Sequence, residues 1–293
     1  MPPDSLRILL AGLVDYAGLF PPAALSMVDV ATNYATYRQS QDAWALGRLV
    51  VPAARLHELS AIVASRNQLG SNAWRVSALV GDDVEHDAAR ITEWNVSANG
   101  LVADTVELRV KSPAAIAQLS SIFRDITAYV EFPLADDPAP YIDAIARAGA
   151  RAKIRTGGVT ADAFPQPLQI VRFLRTCAER DVAFKATAGL HHPLRDCYRL
   201  TYAPDAPRGE MFGFLNVFLA AAFARNGLRD SELLHLMDER DASSLHFTDD
   251  AIRWRDDEID IQRLTDIRAG FAIAFGSCSF REPIDDLHAL GLP

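Results

Sequence analysis

The chain has 293 residues, 49% hydrophobic and 23% charged, enough apolar material to fill one large core or two small ones. Its net charge of -9, with no basic cluster, argues against nucleic acid or an anionic membrane as partner. No apolar run reaches the roughly 20 residues of a membrane-spanning helix.

The N-terminus lacks a signal-peptide pattern. Cys177, Cys197 and Cys278 are far apart and odd in number, so they predict neither a disulfide framework nor a Cys-x-x-Cys metal site. A reduced, cytoplasmic protein is expected. A homo-oligomer is left open, since no residue points to one.

In chain order, residues 1–45 are expected to form an N-terminal extension. It holds a helix over 5–13 and the apolar segment 15–22, which is expected to cover one end of the domain that begins near residue 46. From there, strand-like and helix-like segments alternate. Strands are predicted over 48–52, 74–80, 101–110, 126–132, 152–156 and 182–187. Helices are predicted over 53–66, 82–97, 112–123, 140–148 and 167–180, with Ser112 capping the third and Pro113 at its first position. The pattern becomes irregular between 193 and 270, where helices over 212–225 and 231–239 and a hairpin-like signal around Asp249-Asp250 stand. A helix over 261–268 and a strong last strand over 271–275 close the series.

Alternation of this kind argues for parallel strands joined by crossover helices. Its spacing, roughly 25 to 30 residues, fits a (β/α)8 TIM-type barrel of about 250 residues. A single barrel domain over 46–293 is expected, with an irregular insertion before the last strand that contains or replaces strand seven. A doubly wound open sheet is disfavoured because no G-x-G-x-x-G or G-K-[ST] loop is present.

Charged residues sit on alternate positions of the apolar runs. Glu107 and Arg109 share one face of their strand, as do Lys153 and Arg155 of theirs, and Lys185 and Thr187 of theirs. Buried charge is costly unless paired or used, so these positions mark the candidate site. The C-terminal ends of barrel strands carry catalysis.

Lys185 is the expected nucleophile, its amine freed by desolvation and by Lys153 next to it. Glu131 or Glu107 would move the proton. Arg155 with Thr156 and Gly157, helped by Arg109, reads as an anion clamp. Thr187, His191, Ser277 and Ser279 complete the expected substrate-binding set. The excess of cations favours a small anionic substrate.

At 182–189, Val-Ala-Phe-Lys-Ala-Thr-Ala-Gly, the chain resembles the Schiff-base strand of class I aldolases of the deoxyribose-phosphate aldolase type. That resemblance implies a (β/α)8 barrel whose strand-six lysine is followed by small residues and glycine, and it carries the Schiff-base role to Lys185. Two departures stand out. The family's second lysine lies on the following strand, whereas Lys153 lies on the preceding one. Gly276-Ser277-Cys278-Ser279 stands where the family has a Gly-rich phosphate loop, so a free carboxylate is as good a candidate as a phosphate.

The expected function is therefore an aldolase-like lyase acting on an anionic keto or aldehyde substrate through a lysine imine, without a cofactor. An isomerase is a further possibility. One alternative is a lyase or isomerase assisted by a divalent metal on Glu107, Glu131 and His191. Another is a barrel that binds an anion without turnover.

Overall fold

The computed structural model describes residues 2–66, 68 and 73–292. Eight parallel strands close a barrel: β1 (Val14–Tyr16), β2 (Leu46–Pro52), β3 (Trp74–Leu79), β4 (Leu101–Arg109), β5 (Thr127–Glu131), β6 (Arg151–Arg155), β7 (Phe184–Thr187) and β8 (Ala272–Ser277). Each pairs with its neighbour in sequence, and β8 closes on β1. Helices stand between the strands, so the architecture is the TIM-type barrel that the alternation predicts.

The strand count needs correcting at its start. Residues 1–45 do not all precede the barrel, because Val14, Asp15 and Tyr16 are its first strand, paired with β8 on one edge and β2 on the other. Three residues with an aspartate in the middle make no apolar run. Tertiary pairing, not local propensity, makes this strand. The strands from 48–52 to 182–187 each move up by one, which puts Lys153 on β6 and Lys185 on β7.

The irregular stretch holds no barrel strand. Leu245–Phe247, Ala251–Trp254 and Asp257–Asp260 form a separate antiparallel sheet, and Asp196–Arg199 pairs with Arg208–Met211 in a hairpin between β7 and the next helix. That helix, Phe214–Arg225, is buried on nearly every side because helices Pro167–Glu179 and Asp230–Met237 and strand β8 all pack on it. An all-round apolar surface requires such enclosure. Its Asn216 is fully used: Oδ1 accepts from the Gly213 and Arg195 amides, and Nδ2 donates to the Leu236 and Glu239 carbonyls.

The helix expected over 112–123 is broken into a 3₁₀ turn, Pro113–Ile116, and a single α-turn, Leu119–Ile122. Ser112 makes no capping bond there. Other helix starts are capped by side chains. Asp137 accepts from the Ala139 amide at the start of Pro138–Arg147, and Gln169 Oε1 accepts from the Gln166 amide just ahead of Pro167.

On each strand one set of side chains meets the helices and the other the barrel interior. Val106, Leu108, Ala152, Ile154, Phe184 and Ala186 are all buried among apolar neighbours. Glu107, Lys153 and Lys185 are equally buried, on the opposite parity. Parallel register sets Arg109 beside Glu131, Glu131 beside Lys153 and Lys153 beside Lys185, one continuous row across β4 to β7.

Candidate active site

The row of charges forms a chain of ion pairs across the barrel. Lys185 Nζ donates to Asp15 Oδ2 at 2.5 Å and to Glu107 Oε1 at 2.6 Å. Lys153 Nζ lies 2.9 Å from Glu107 Oε2 and 2.8 Å from Glu131 Oε2. The other Glu131 oxygen meets Arg155 Nε at 2.9 Å and Arg109 Nε at 3.0 Å. Ser77 donates to Glu107 at 2.7 Å, and the Arg48 amide donates to Asp15 at 2.6 Å. Gly47 leaves the room Asp15 needs, since a Cβ there would lie 2.3 Å from Asp15 Oδ1. Below the row, Lys185 Nζ sits 5.5 Å from the centre of the Tyr129 ring.

Asp15 belongs to this site, whereas from the sequence it is only part of the segment over 15–22 expected to cover one end of the barrel. The missed strand β1 hid it.

Electrostatics correct the roles expected of Lys185 and the carboxylates. Burial alone would lower the Lys185 ammonium, but Asp15 and Glu107 outweigh it and raise it above its ordinary value. Its side chain is 1% exposed and does not reach the wall of the cavity above. Held between two carboxylates, Lys185 sits in a setting that favours its ammonium over the freed amine. Burial would raise the Glu107 carboxyl, yet Lys185 and Lys153 hold it well below the usual carboxylate range. Glu131 is likewise held down, against burial, by Lys153 and Arg155. Neither carboxyl is suited to carry a proton near neutrality.

A cavity of about 350 Å3 opens at the C-terminal end of the barrel, the catalytic end of this architecture. Its polar wall includes Glu107, Arg109, Lys153, Arg155, Thr187 and His191. Phe20, Pro21, Pro22, Val50 and Leu79 supply an apolar wall. The first three belong to the segment after β1, which does cover the mouth as its composition suggests. A second hollow of about 540 Å3 adjoins it, sharing Arg109 and Arg155 and adding Glu131.

The other expected binding residues have different tasks. Thr156 is fully buried and donates to the carbonyl of Ala188 at 2.6 Å. Ala188 has φ 62° and Gly189 φ 75°, so this bond holds a left-handed turn that a non-glycine residue resists. Gly157 does not line the cavity. A Cβ on it would meet the Phe164 ring at 2.4 Å and Gly189 Cα at 2.9 Å, so it is needed for packing between two loops. Ser279 Oγ accepts from the Glu282 amide at the start of helix Arg281–Ala289, and Ser277 Oγ accepts from the Ser279 amide. Neither serine lines the cavity.

His191 and His192 both reach helix Arg281–Ala289. His191 Nδ1 is 3.0 Å from Glu282 Oε2, and His192 Nδ1 is 2.5 Å from Asp286 Oδ2. Adjacent histidines meet carboxylates one helical turn apart. Tyr202, from the hairpin, donates to Glu282 at 2.9 Å and lies 3.5 Å from Cys278 Sγ. Cys278 Sγ is 4.0 Å from His191 Nδ1 and lines the cavity.

A divalent metal does not fit the set Glu107, Glu131 and His191. The two carboxylates are taken up by lysines and arginines, and His191 is paired with Glu282. No cluster of three His, Cys, Asp or Glu side chains suited to a metal occurs among the described residues. No helix among them is long and apolar enough to cross a membrane. Compared with models of protein families and with curated proteins, the chain matches none.

Proposed function

We propose that this barrel is a lyase of the class I aldolase kind, with Lys153 as the imine-forming amine. One observation carries the reading: Lys153 stands on the sixth strand at the cavity wall, with Lys185 on the next strand behind it and Glu107 between them. By this strand count the two lysines stand in the order given above for the deoxyribose-phosphate aldolase type, one on strand six and one on the following strand, while the run 182–189 falls on strand seven. The lysine on strand six is Lys153, it is followed by Ile-Arg-Thr-Gly-Gly, and the second lysine follows on strand seven.

Charge balance supports the same amine. Four cations, Lys153, Lys185, Arg109 and Arg155, face three carboxylates, Asp15, Glu107 and Glu131. Loss of a proton from Lys153 leaves the cluster balanced, and the amine can then attack a carbonyl. Loss of the Lys185 proton would strip Asp15 of its cation in the deepest part of the barrel.

Arg109 and Arg155 use Nε on Glu131, and their Nη atoms make no hydrogen bond among the described residues. Those donors suit the carboxylate or phosphate of a small keto or aldehyde substrate.

The test is borohydride trapping with a panel of pyruvate, other small keto acids, acetaldehyde and glyceraldehyde phosphate, followed by intact mass and peptide mapping. The expected result is one adduct on Lys153, absent from Lys153→Met. An adduct on Lys185 would reverse the assignment. Ligand-induced stabilisation without any adduct would favour the anion-binding barrel.

A further inference from the structure

We infer that His191, held by Glu282, is the residue that delivers a proton to the substrate oxygen. The inference rests on the imine reading and supplies the proton donor that this chemistry needs. The ionisable side chains on the cavity wall are Glu107, Arg109, Lys153, Arg155, His191 and Cys278. Lys153 is the attacking amine. Glu107 is locked between two lysines as a carboxylate, and the arginines are anchored on Glu131. His191 and Cys278 remain.

His191 has the arrangement of a proton donor. Its Nδ1 faces Glu282 at 3.0 Å, while Nε2 makes no hydrogen bond among the described residues and the ring lines the cavity. A carboxylate on one ring nitrogen fixes the orientation and supports the charged form, leaving the other N–H to act. Its charged and titratable neighbours are Glu282 and Asp286 on the last helix, Cys278 after β8, Tyr202 on the hairpin and His192 next in the chain. Burial would lower the imidazolium, but Cys278 and Glu282 outweigh it and push it up to about 10. Tyr202, bonded to Glu282, is a positioning residue.

Lys153, its ammonium proton released to solvent, adds through its nitrogen lone pair to the substrate carbonyl; one N–H proton of the adduct passes to the alkoxide oxygen to give a neutral carbinolamine. His191 passes its Nε2 proton to the carbinolamine oxygen. The C–O bond breaks with its electron pair, releasing water, and the nitrogen lone pair forms the C=N bond of the protonated imine. Neutral His191 takes the proton back when water later adds to release product.

The experiment measures the rate of borohydride-trapped adduct at Lys153 with pyruvate as probe, across pH 6 to 11, in wild type, His191→Gln and Glu282→Gln. His191→Gln is expected to slow trapping by about a hundredfold or more while reaching the same final extent. Glu282→Gln removes the charge that holds the imidazolium up, so the pH at which the rate falls is expected to move down. A merely structural role would change the rate without moving that pH. Thermal unfolding of both variants identifies loss of fold. Equal trapping rates in wild type and a folded His191→Gln would overturn this inference and leave the imine reading intact. No adduct in the wild type would overturn both.

Discussion

Lys153 and Lys185 are neighbours of the same type on the same parity, yet their surroundings give them different work. Among the described residues Lys185 is the sole side-chain cation within bonding distance of Asp15, and it also holds Glu107. Lys185→Met would leave carboxylate oxygens buried without their cation, and such a loss costs about 3–5 kcal/mol. Lys153→Met leaves Glu107 with Lys185 and Ser77, and Glu131 with Arg109 and Arg155. Urea unfolding at pH 7 should therefore show the larger loss for Lys185→Met, while trapping is abolished by Lys153→Met. The reverse order would mean that Lys153 is the structural lysine. Acid adds a second check. Glu107 is depressed in the folded state, so its contribution is full above the unfolded value of about 4.3 and is lost as pH falls through the lower folded value. Wild-type stability should drop steeply below about pH 4.5. Lys185→Met should drop less steeply, because Glu107 with one cation fewer lies nearer its unfolded value.

At the scale of elements, the loops after β6 and β7 act as one unit. Gly157 and Gly189 meet beneath the Phe164 ring, and Thr156 ties its strand end to the Ala188 carbonyl. Gly157→Ala would drive a methyl into Phe164 and the facing backbone, an overpacking that costs about 1–3 kcal/mol. Because His191 lies two residues after Gly189, the same change should lower catalysis more than stability alone explains. Thermal unfolding and the trapping rate, measured on one preparation, separate the two. Alternating parity in Glu107/Arg109 and Lys153/Arg155 made the barrel interior readable from sequence, because a strand has a fixed period. Two things were not readable. Val14–Tyr16 is held as a strand by its neighbours on both edges, and nothing local announces it. Which glycine packs and which approaches a ligand depends on what faces it across the barrel, as Gly157 demonstrates. The strand count went wrong through the first omission, and the lysine that stands on strand six depends on that count. The His191–Glu282 contact joins segments 91 residues apart and left only the regular spacing of Glu282 and Asp286 as a trace.

For the whole molecule, charge is distributed against its total. The chain carries -9 overall, yet the cavity mouth gathers Arg109, Lys153, Arg155 and His191, with Lys111 beside them in the adjoining hollow. Four cations against three carboxylates leave this concave site with an excess of positive charge, and such an excess within low-dielectric walls focuses its field outward and draws in small anions, even on a molecule of net negative charge. The reach of that field is set by salt, with a screening length of about 30 Å at 0.01 M and about 10 Å at 0.1 M. Pyruvate and acetone share a methyl ketone and differ in charge, so they separate steering from chemistry. The rate of Lys153 trapping by pyruvate, at concentrations well below saturation, should fall as sodium chloride rises from about 0.01 to about 0.3 M, whereas the acetone rate should stay nearly level. Lys111→Glu should slow pyruvate most at the low-salt end and converge on wild type at high salt, because Lys111 makes no side-chain hydrogen bond among the described residues and contributes through its field. A pyruvate rate as insensitive to salt as that of acetone would mean that the arginines are spent on Glu131 and that anion selection does not occur at this mouth.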